Sequence, residues 1–282
     1  MTLPSGFDLD VFVSAVLTED LGAGGDVTSR ATIGEDAVFT AAMNAREPIV
    51  VAGLEIAAAF FRALDPGVAI QLGASDGDRV EAGAELMRLE GNARAMLAAE
   101  RSALNTLQHL SGIATLTRRY VDTIAGTGAT LLDTRKTIPG LRLLDKYAAR
   151  MGGAENHRLR LDDGVLIKDN HVAVCGGVAE AVRRARAANT GLQVQVEVDR
   201  TDQIGPALDA GADRLLLDNM PPPVLREAVA LVAGRVPLEA SGGVNLDTIH
   251  AIAETGVNCI SVGRITQSAP AVDIGLDYST AQ

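Results

Sequence analysis

What most constrains the fold of this 282-residue chain is the pattern after Ala129, where short apolar runs alternate with Ala-rich amphipathic stretches. The runs are Thr130 to Leu132, Val165 to Ile167, Gln193 to Val198, Arg214 to Leu217, Pro237 to Leu238 and Cys259 to Val262. Helical stretches such as Val178 to Ala188 and Pro223 to Val232 lie between them. Strands separated by helices require parallel crossovers, which predicts an α/β sheet or barrel. Fewer than eight repeats are visible, so the pattern does not demand a closed eightfold barrel.

Each run ends in something polar: Asp133, Arg135 and Lys136; Lys168; Glu197; Asp218; Glu239 and Ser241; Gly263 and Arg264. One acid after one strand is usually a helix cap. Polar groups after several parallel strands are what the shared mouth of a barrel needs. The stretch from Asp133 to His171 adds a local charge reversal, with eight Lys and Arg against six Asp and Glu in a chain whose net charge is −11. A solvated, ion-paired surface would explain such an island. A pocket for a small anion explains it too, because desolvated cations are costly without a counter-charge. Pro139 and Gly140 after Arg135 and Lys136 mark a strand entering a loop, which favours the pocket.

The N-terminal half has a different texture. An amphipathic helix is predicted over Asp8 to Glu19, with Val11, Phe12, Ala15 and Val16 as its apolar residues. The glycines of EDLGAGGDVTS follow a helix, so they fail the strand-to-helix context of a phosphate loop. Short β-like pieces come next at Val38 to Met43, Pro48 to Ala52, Ala69 to Leu72 and Leu86 to Leu89, with a helix over Leu54 to Leu64 inserted. The segment DGDRVEAGAELMRLEG is similar to the turn region of biotinyl or lipoyl carriers but lacks their exposed lysine, so it reads as sheet geometry alone. A long helix is predicted from Ala95 to Ala125, broken near Gly112, with Arg101 bordering its apolar face.

Composition removes several function classes. With 36 acids to 25 bases, no Trp and 3% aromatics, the chain lacks the basic face and stacking rings of a nucleic-acid binder. Cys175 and Cys259 stand far apart with no CxxC, so they are expected to be buried thiols. No Lys or Arg precedes Arg30 and no apolar run is long enough for a bilayer, so no membrane partner is expected and the expected compartment is the cytoplasm.

Within the rim, Arg135, Lys136, Arg158 and Lys168, with His157 and Arg101, are candidate cations for carboxylates or phosphates. Glu197 and Asp218 supply hard oxygen donors for Mg2+ or sugar hydroxyls, with a pair of structural salt bridges as the competing explanation. Ser241, Gly242 and Gly243, and later Val262, Gly263 and Arg264, follow the last two runs, where glycines let backbone N–H groups approach a phosphate.

The segments DTRKTIPGLR, KYAARMGGAENHR, LIKDNHV, VEVD, LLLDNM, ASGG and SVGRITQSAP, with EDLGAGGDVTS and ERSALN upstream, resemble the quinolinate phosphoribosyltransferases over nearly the whole chain and in order. The resemblance implies an N-terminal α/β sandwich over residues 1–113, with 267–282 packing back on it, and an open α/β barrel of parallel strands over 114–266. It implies transfer of phosphoribosyl from phosphoribosyl pyrophosphate to quinolinate with decarboxylation, giving nicotinate mononucleotide, pyrophosphate and CO2. Mg2+ is the implied cofactor and pyridoxal phosphate is not needed. The implied assembly is a homodimer, or an oligomer of dimers, with the active site shared across the interface.

Carried onto this sequence, Arg101, Arg135, Lys136, His157, Arg158 and Lys168 bind quinolinate, with Thr134 beside them. Glu197 and Asp218 serve the ribose and the metal, directly or through water, and Ser241 to Gly243 with Val262 to Arg264 hold the phosphate, Val262 and Arg264 more through backbone than side chain. Lys136, Lys168, Glu197 and Asp218 are the implied catalytic groups. Three alternatives stay open: a related transferase with another acceptor, a Schiff-base lyase using Lys168, and a binding protein without turnover.

Overall fold

In a computed structural model that describes residues 4–278, the chain divides into two compact units. One takes the chain through Leu116, Leu143–Gly152 and the chain from Ala269; the other takes Thr117–Arg142 and Gly153–Ser268. The elements are α1 (Leu9–Leu21), α2 (Val27–Thr32), β1 (Val38–Ala45), β2 (Ile49–Val50), α3 (Leu54–Leu64), β3 (Ala69–Leu72), β4 (Arg79–Val80), β5 (Glu85–Asn92) and α4 (Ala93–Thr123). They continue with β6 (Thr130–Leu132), α5 (Arg142–Met151), β7 (Val165–Ile167), α6 (Asp169–Cys175), α7 (Val178–Ala187), β8 (Val194–Val198), α8 (Ile204–Asp209) and β9 (Arg214–Asp218). The last are α9 (Pro222–Val232), β10 (Leu238–Ser241), α10 (Ile249–Ala253), β11 (Cys259–Ser261), α11 (Arg264–Gln267) and β12 (Ile274–Tyr278).

The first unit is built on an antiparallel sheet ordered β12-β1-β5-β3, with β2 and β4 as a separate pair. The two-residue β4 escapes sequence patterning because two residues carry no period. α1 starts where the Asp8 carboxylate accepts the Val11 N–H at 3.0 Å, satisfying one of the unpaired N-terminal donors. Its buried residues are Val13 and Leu17, one turn apart, while Val11 is 64% exposed, so the expected apolar face is displaced by a few positions. Phe12 still meets Phe60 of α3 edge-on, with ring centroids 6.1 Å apart.

α4 does not break at Gly112. Met96, Ala99, Ala103, Leu107, Leu110 and Ala114 form an unbroken buried stripe at spacings of three and four. Gly112 is there for a different reason: a Cβ at that position would collide with the carbonyl oxygen of Pro270 in the segment leading to β12. The glycine therefore admits a close backbone approach and leaves the helix intact.

The second unit holds a six-stranded parallel sheet ordered β6-β11-β10-β9-β8-β7. β6 and β7 are its two ends, and among the described residues they are not paired to each other, so the barrel is open as expected. Val194, Val196, Val198, Leu215, Leu217, Leu238, Ala240 and Ile260 bury near-continuous apolar surface along it, as parallel strands covered on both faces do. β10 runs three residues past the Leu238 end expected from sequence and reaches Ser241, because the polar Glu239 and Ser241 side chains interrupt the apolar run without interrupting the ladder. Cys175 and Cys259 are both partly exposed free thiols, against the expectation of burial.

Candidate active site

The ends of the parallel strands surround a cavity of about 910 Å³ within the second unit. Thr134, Arg135 and Lys136 reach it from the loop after β6, His157 and Arg158 from the segment ahead of β7, and Lys168 from the end of β7. Glu197 comes from β8, Asp218 from β9, Ser241, Gly242 and Gly243 from the end of β10, and Val262, Gly263 and Arg264 from the turn between β11 and α11. Arg101 alone of the predicted site residues does not line it; it stands exposed on α4 in the first unit.

The basic island does not act as one body. Lys146 is 1% exposed on α5 in the first unit. Arg142 donates to the Thr137 hydroxyl at 3.2 Å and to Leu159 O at 3.3 Å, and Arg160 pairs with Asp162 at the surface. The cations the island does deliver to the cavity are Arg135, Lys136, Arg158 and Lys168. Arg135 and Arg158 are near neighbours there: burial and then the charge of Arg135 lower the Arg158 guanidinium below its ordinary value. Nε of Arg135 is buried with no hydrogen-bond partner among the described residues. Two cations that repel each other, one with an orphaned donor, make an acceptor site for an anion.

The opposite charge is also unbalanced. Burial and the neighbouring Asp218 carboxylate raise Glu197 above its ordinary value, with Lys168 acting against them. Two carboxylates in that state suit a hard divalent cation, which commonly takes one or two protein carboxylates and completes its shell from substrate phosphates. Among the described residues no group of three or more His, Cys, Asp or Glu converges as a metal centre.

Glycine supplies the remaining wall. Gly242 has φ +95°, and a Cβ there would fall 2.9 Å from Asn219 N and collide with the Asn219 side chain. Asn219 itself sits at φ 55°, its N–H donating to Ser241 O at 2.8 Å and its side-chain amide to Asp218 Oδ2 at 2.6 Å. Asp218 thus keeps one oxygen occupied and the other directed by that bond. Gly263 lets the Lys136 side chain pass, since a Cβ would lie 2.7 Å from Lys136 Cδ. The Val262 N–H is already committed to Leu132 O at 3.0 Å, so it is not available to hold a phosphate.

Sequence patterning passed over Asn219 and named Asp133 only as a polar run end. Asp133 is 0% exposed and accepts from the His157 main-chain N–H at 2.8 Å and from Asn156 Nδ2 at 2.6 Å. Nδ1 of His157 accepts the Arg158 N–H at 2.8 Å.

An open parallel barrel that gathers repelling arginines, lysines, a carboxylate pair and glycine turns around one cavity belongs to the class of proteins that bind small, multiply charged substrates at strand ends. The sequence profile described as "Quinolinate phosphoribosyl transferase, C-terminal domain" matches residues 113–277, and the corresponding N-terminal domain profile matches residues 26–111. The chain belongs to the quinolinate phosphoribosyl transferase family. It is 44% identical over 273 residues to a nicotinate-nucleotide pyrophosphorylase [carboxylating] of Mycobacterium leprae, covering 94% of this chain and 95% of that protein. It is 43% identical over 262 residues to a probable nicotinate-nucleotide pyrophosphorylase [carboxylating] of Bacillus subtilis, covering 93% and 90%. Its fold matches the crystal structure of the nicotinate-nucleotide pyrophosphorylase from Ehrlichia chaffeensis with a TM-score of 0.93 and 40% identity, covering 97% of this chain and 100% of that one.

Proposed function

We infer that this chain transfers phosphoribosyl from phosphoribosyl pyrophosphate to quinolinate and decarboxylates the product to nicotinate mononucleotide. The observation that carries the reading is the placement of mutually repelling Arg135 and Arg158 in the same cavity as the carboxylate pair Glu197 and Asp218. A pyridine dicarboxylate relieves the first conflict and a ribose with its metal-bound diphosphate relieves the second.

In this reading Arg135 and Arg158 hold the two acceptor carboxylates and present the ring nitrogen to the sugar carbon. The nitrogen forms a bond to that carbon as pyrophosphate leaves with its bonding electrons. Glu197 and Asp218 face the ribose and stabilise the positive charge that develops on it. Glu197 and Asp218 would hold Mg2+ when it is bound, and the ion would supply positive charge to offset that of the diphosphate. The pyridinium nitrogen then accepts the electron density left as the adjacent carboxylate departs as CO2. Lys136 and Lys168 are the candidate donors of the proton that replaces it, and Ser241 to Gly243 with Gly263 and Arg264 face the sugar phosphate.

Arg101, exposed on α4, serves the acceptor in the cavity of a second copy in the same reading, which requires a homodimer. The unit boundary after Leu116 and the pairing of β12 with β1 support a domain division at 113/114 with the C-terminal segment returning to the N-terminal domain, although Leu143–Gly152 falls with the first unit and residues 267–268 with the second; residues 279–282 of the expected 267–282 lie outside the described residues. The cytoplasm stays the expected compartment; no helix of the described residues is long and apolar enough to cross a membrane.

The test is to incubate pure protein with quinolinate, phosphoribosyl pyrophosphate and Mg2+ and to follow nicotinate mononucleotide and CO2 together. Equimolar release of both is expected. Pyrophosphate release with another acceptor and none with quinolinate would overturn the reading.

A further inference from the structure

Under the acid-binding end of the cavity lies a carboxylate to which the reaction above gives no task. Glu239 on β10 is 0% exposed. A buried carboxylate is costly unless donors hold it, and an apolar residue of similar size would often serve a barrel interior at least as well. Here polar side chains from several segments surround it. Gln195 of β8 donates to Oε2 at 2.9 Å, Arg214 of β9 lies 3.5 Å from the same oxygen, and Nε2 of His157 lies 3.4 Å from it. Burial pushes this carboxyl up, but His157, Ser261 and Gln195 outweigh it and hold it below its ordinary value, so Glu239 stays an acceptor.

The His157 contact is the one that leads outward. Its Nε2 faces Glu239, and its Nδ1 accepts the main-chain N–H of Arg158 at 2.8 Å. The same short segment is pinned from its other side by Asp133, through the His157 N–H and the Asn156 amide. Ring and backbone are thus clamped between two buried acids, and the next side chain along is Arg158, poised beside Arg135. Among the described residues, the hydrogen bonds of Asp218 and Asn219 on the sugar-phosphate side do not involve Glu239, whose partner Ser261 lies just ahead of the turn at 262–264.

We propose that Glu239 is a positioning residue which, through His157, fixes the Arg158 segment and so tunes recognition of the dicarboxylate acceptor while leaving the phosphoribosyl donor's site alone. The inference rests on the quinolinate reading. Wild-type turnover tests that reading by itself, and the variants below test only Glu239.

Steady-state kinetics of Glu239→Gln should show KM for quinolinate rising about tenfold or more, the scale of one misaligned charge-assisted contact, with KM for phosphoribosyl pyrophosphate held within about twofold. The double variant Glu239→Gln with His157→Asn should match His157→Asn alone, because the effect of Glu239 passes through that ring. Multiplying effects, or equal rises in both KM values, would overturn the inference. Imidazole nitrogen NMR gives a readout that mere packing would not move: the chain has four histidines, and His157→Asn identifies the signal. Wild type should show Nδ1 unprotonated and Nε2 protonated, and Glu239→Gln should show mixed tautomers; an unaltered spectrum counts against the proposal. Should Glu239→Gln fail to fold, Glu239→Asp keeps the charge and withdraws the carboxylate from the ring. Folded Glu239→Asp with an unchanged quinolinate KM would equally overturn it.

Discussion

Arg158→Met keeps the aliphatic stem and deletes the guanidinium, which makes binding and stability move independently. In the free protein the change removes one hydrogen bond, Nη1 to Gly164 O at 3.1 Å, worth about 0.5–1.5 kcal/mol net. It also removes a partly buried charge and its repulsion with Arg135, the two causes that lower this guanidinium. These act in the opposite direction, so the stability of the ligand-free protein should hold within about 1 kcal/mol or rise. Binding has no such offset. A charge-assisted contact to a carboxylate contributes about 1.5–3 kcal/mol, which is a loss of about 10- to 150-fold in quinolinate affinity. Isothermal titration with quinolinate and urea melts without ligand measure the two quantities on the same preparation. Unchanged affinity would refute the reasoning, and so would a stability loss above about 3 kcal/mol, which would make Arg158 a structural residue.

Glu197→Gln should stabilise the ligand-free protein at neutral pH and depress turnover. The folded-state value of Glu197 is raised, so its stabilising contribution is complete below the unfolded value and is lost as pH climbs through the folded one. Melting curves against pH should therefore converge between wild type and variant in acid and separate toward neutrality; parallel curves would contradict the assigned cause. Gly242→Ala places a Cβ against Asn219 at φ +95°, a strain of about 1–3 kcal/mol, and displaces the amide that holds Asp218 Oδ2. The expected result is a lower melting temperature with a higher KM for phosphoribosyl pyrophosphate, and an unmoved KM would show that Asn219 does not orient Asp218. Gly112→Ala should lower stability in urea melts, since its Cβ collides with the Pro270 carbonyl. A gain near the ~1 kcal/mol that helix propensity alone grants Ala over Gly would show that the close approach does not hold.

What could be read from sequence was what repeats. Six apolar runs with polar ends point to the parallel sheet, and Arg135, Lys136 and Lys168 stand out because each lies within four residues of the end of a run. The partners that explain them were out of reach. Glu239 is visible as a strand-end acid, but its meaning depends on Gln195, Arg214 and His157, which meet only once strand order is known. Asn219 looks like a turn residue until Gly242 closes on it. Gly112 was misread for a related reason: a glycine inside a helix signals a break or a close neighbour, and only the position of Pro270 distinguishes them. Charge counting over Asp133 to His171 likewise could not separate cavity arginines from Lys146, whose burial depends on the packing of α5.

The pairing of β1 with β12 joins residues such as Asn44 and Asp277, 233 positions apart. On the ribosome, one edge of β1 therefore waits bare until almost the entire polypeptide has emerged. A nonsense codon between Asn92 and Ile274 would leave that edge open to other nascent chains, so such alleles should yield aggregates in the cell and not a soluble, inactive polypeptide.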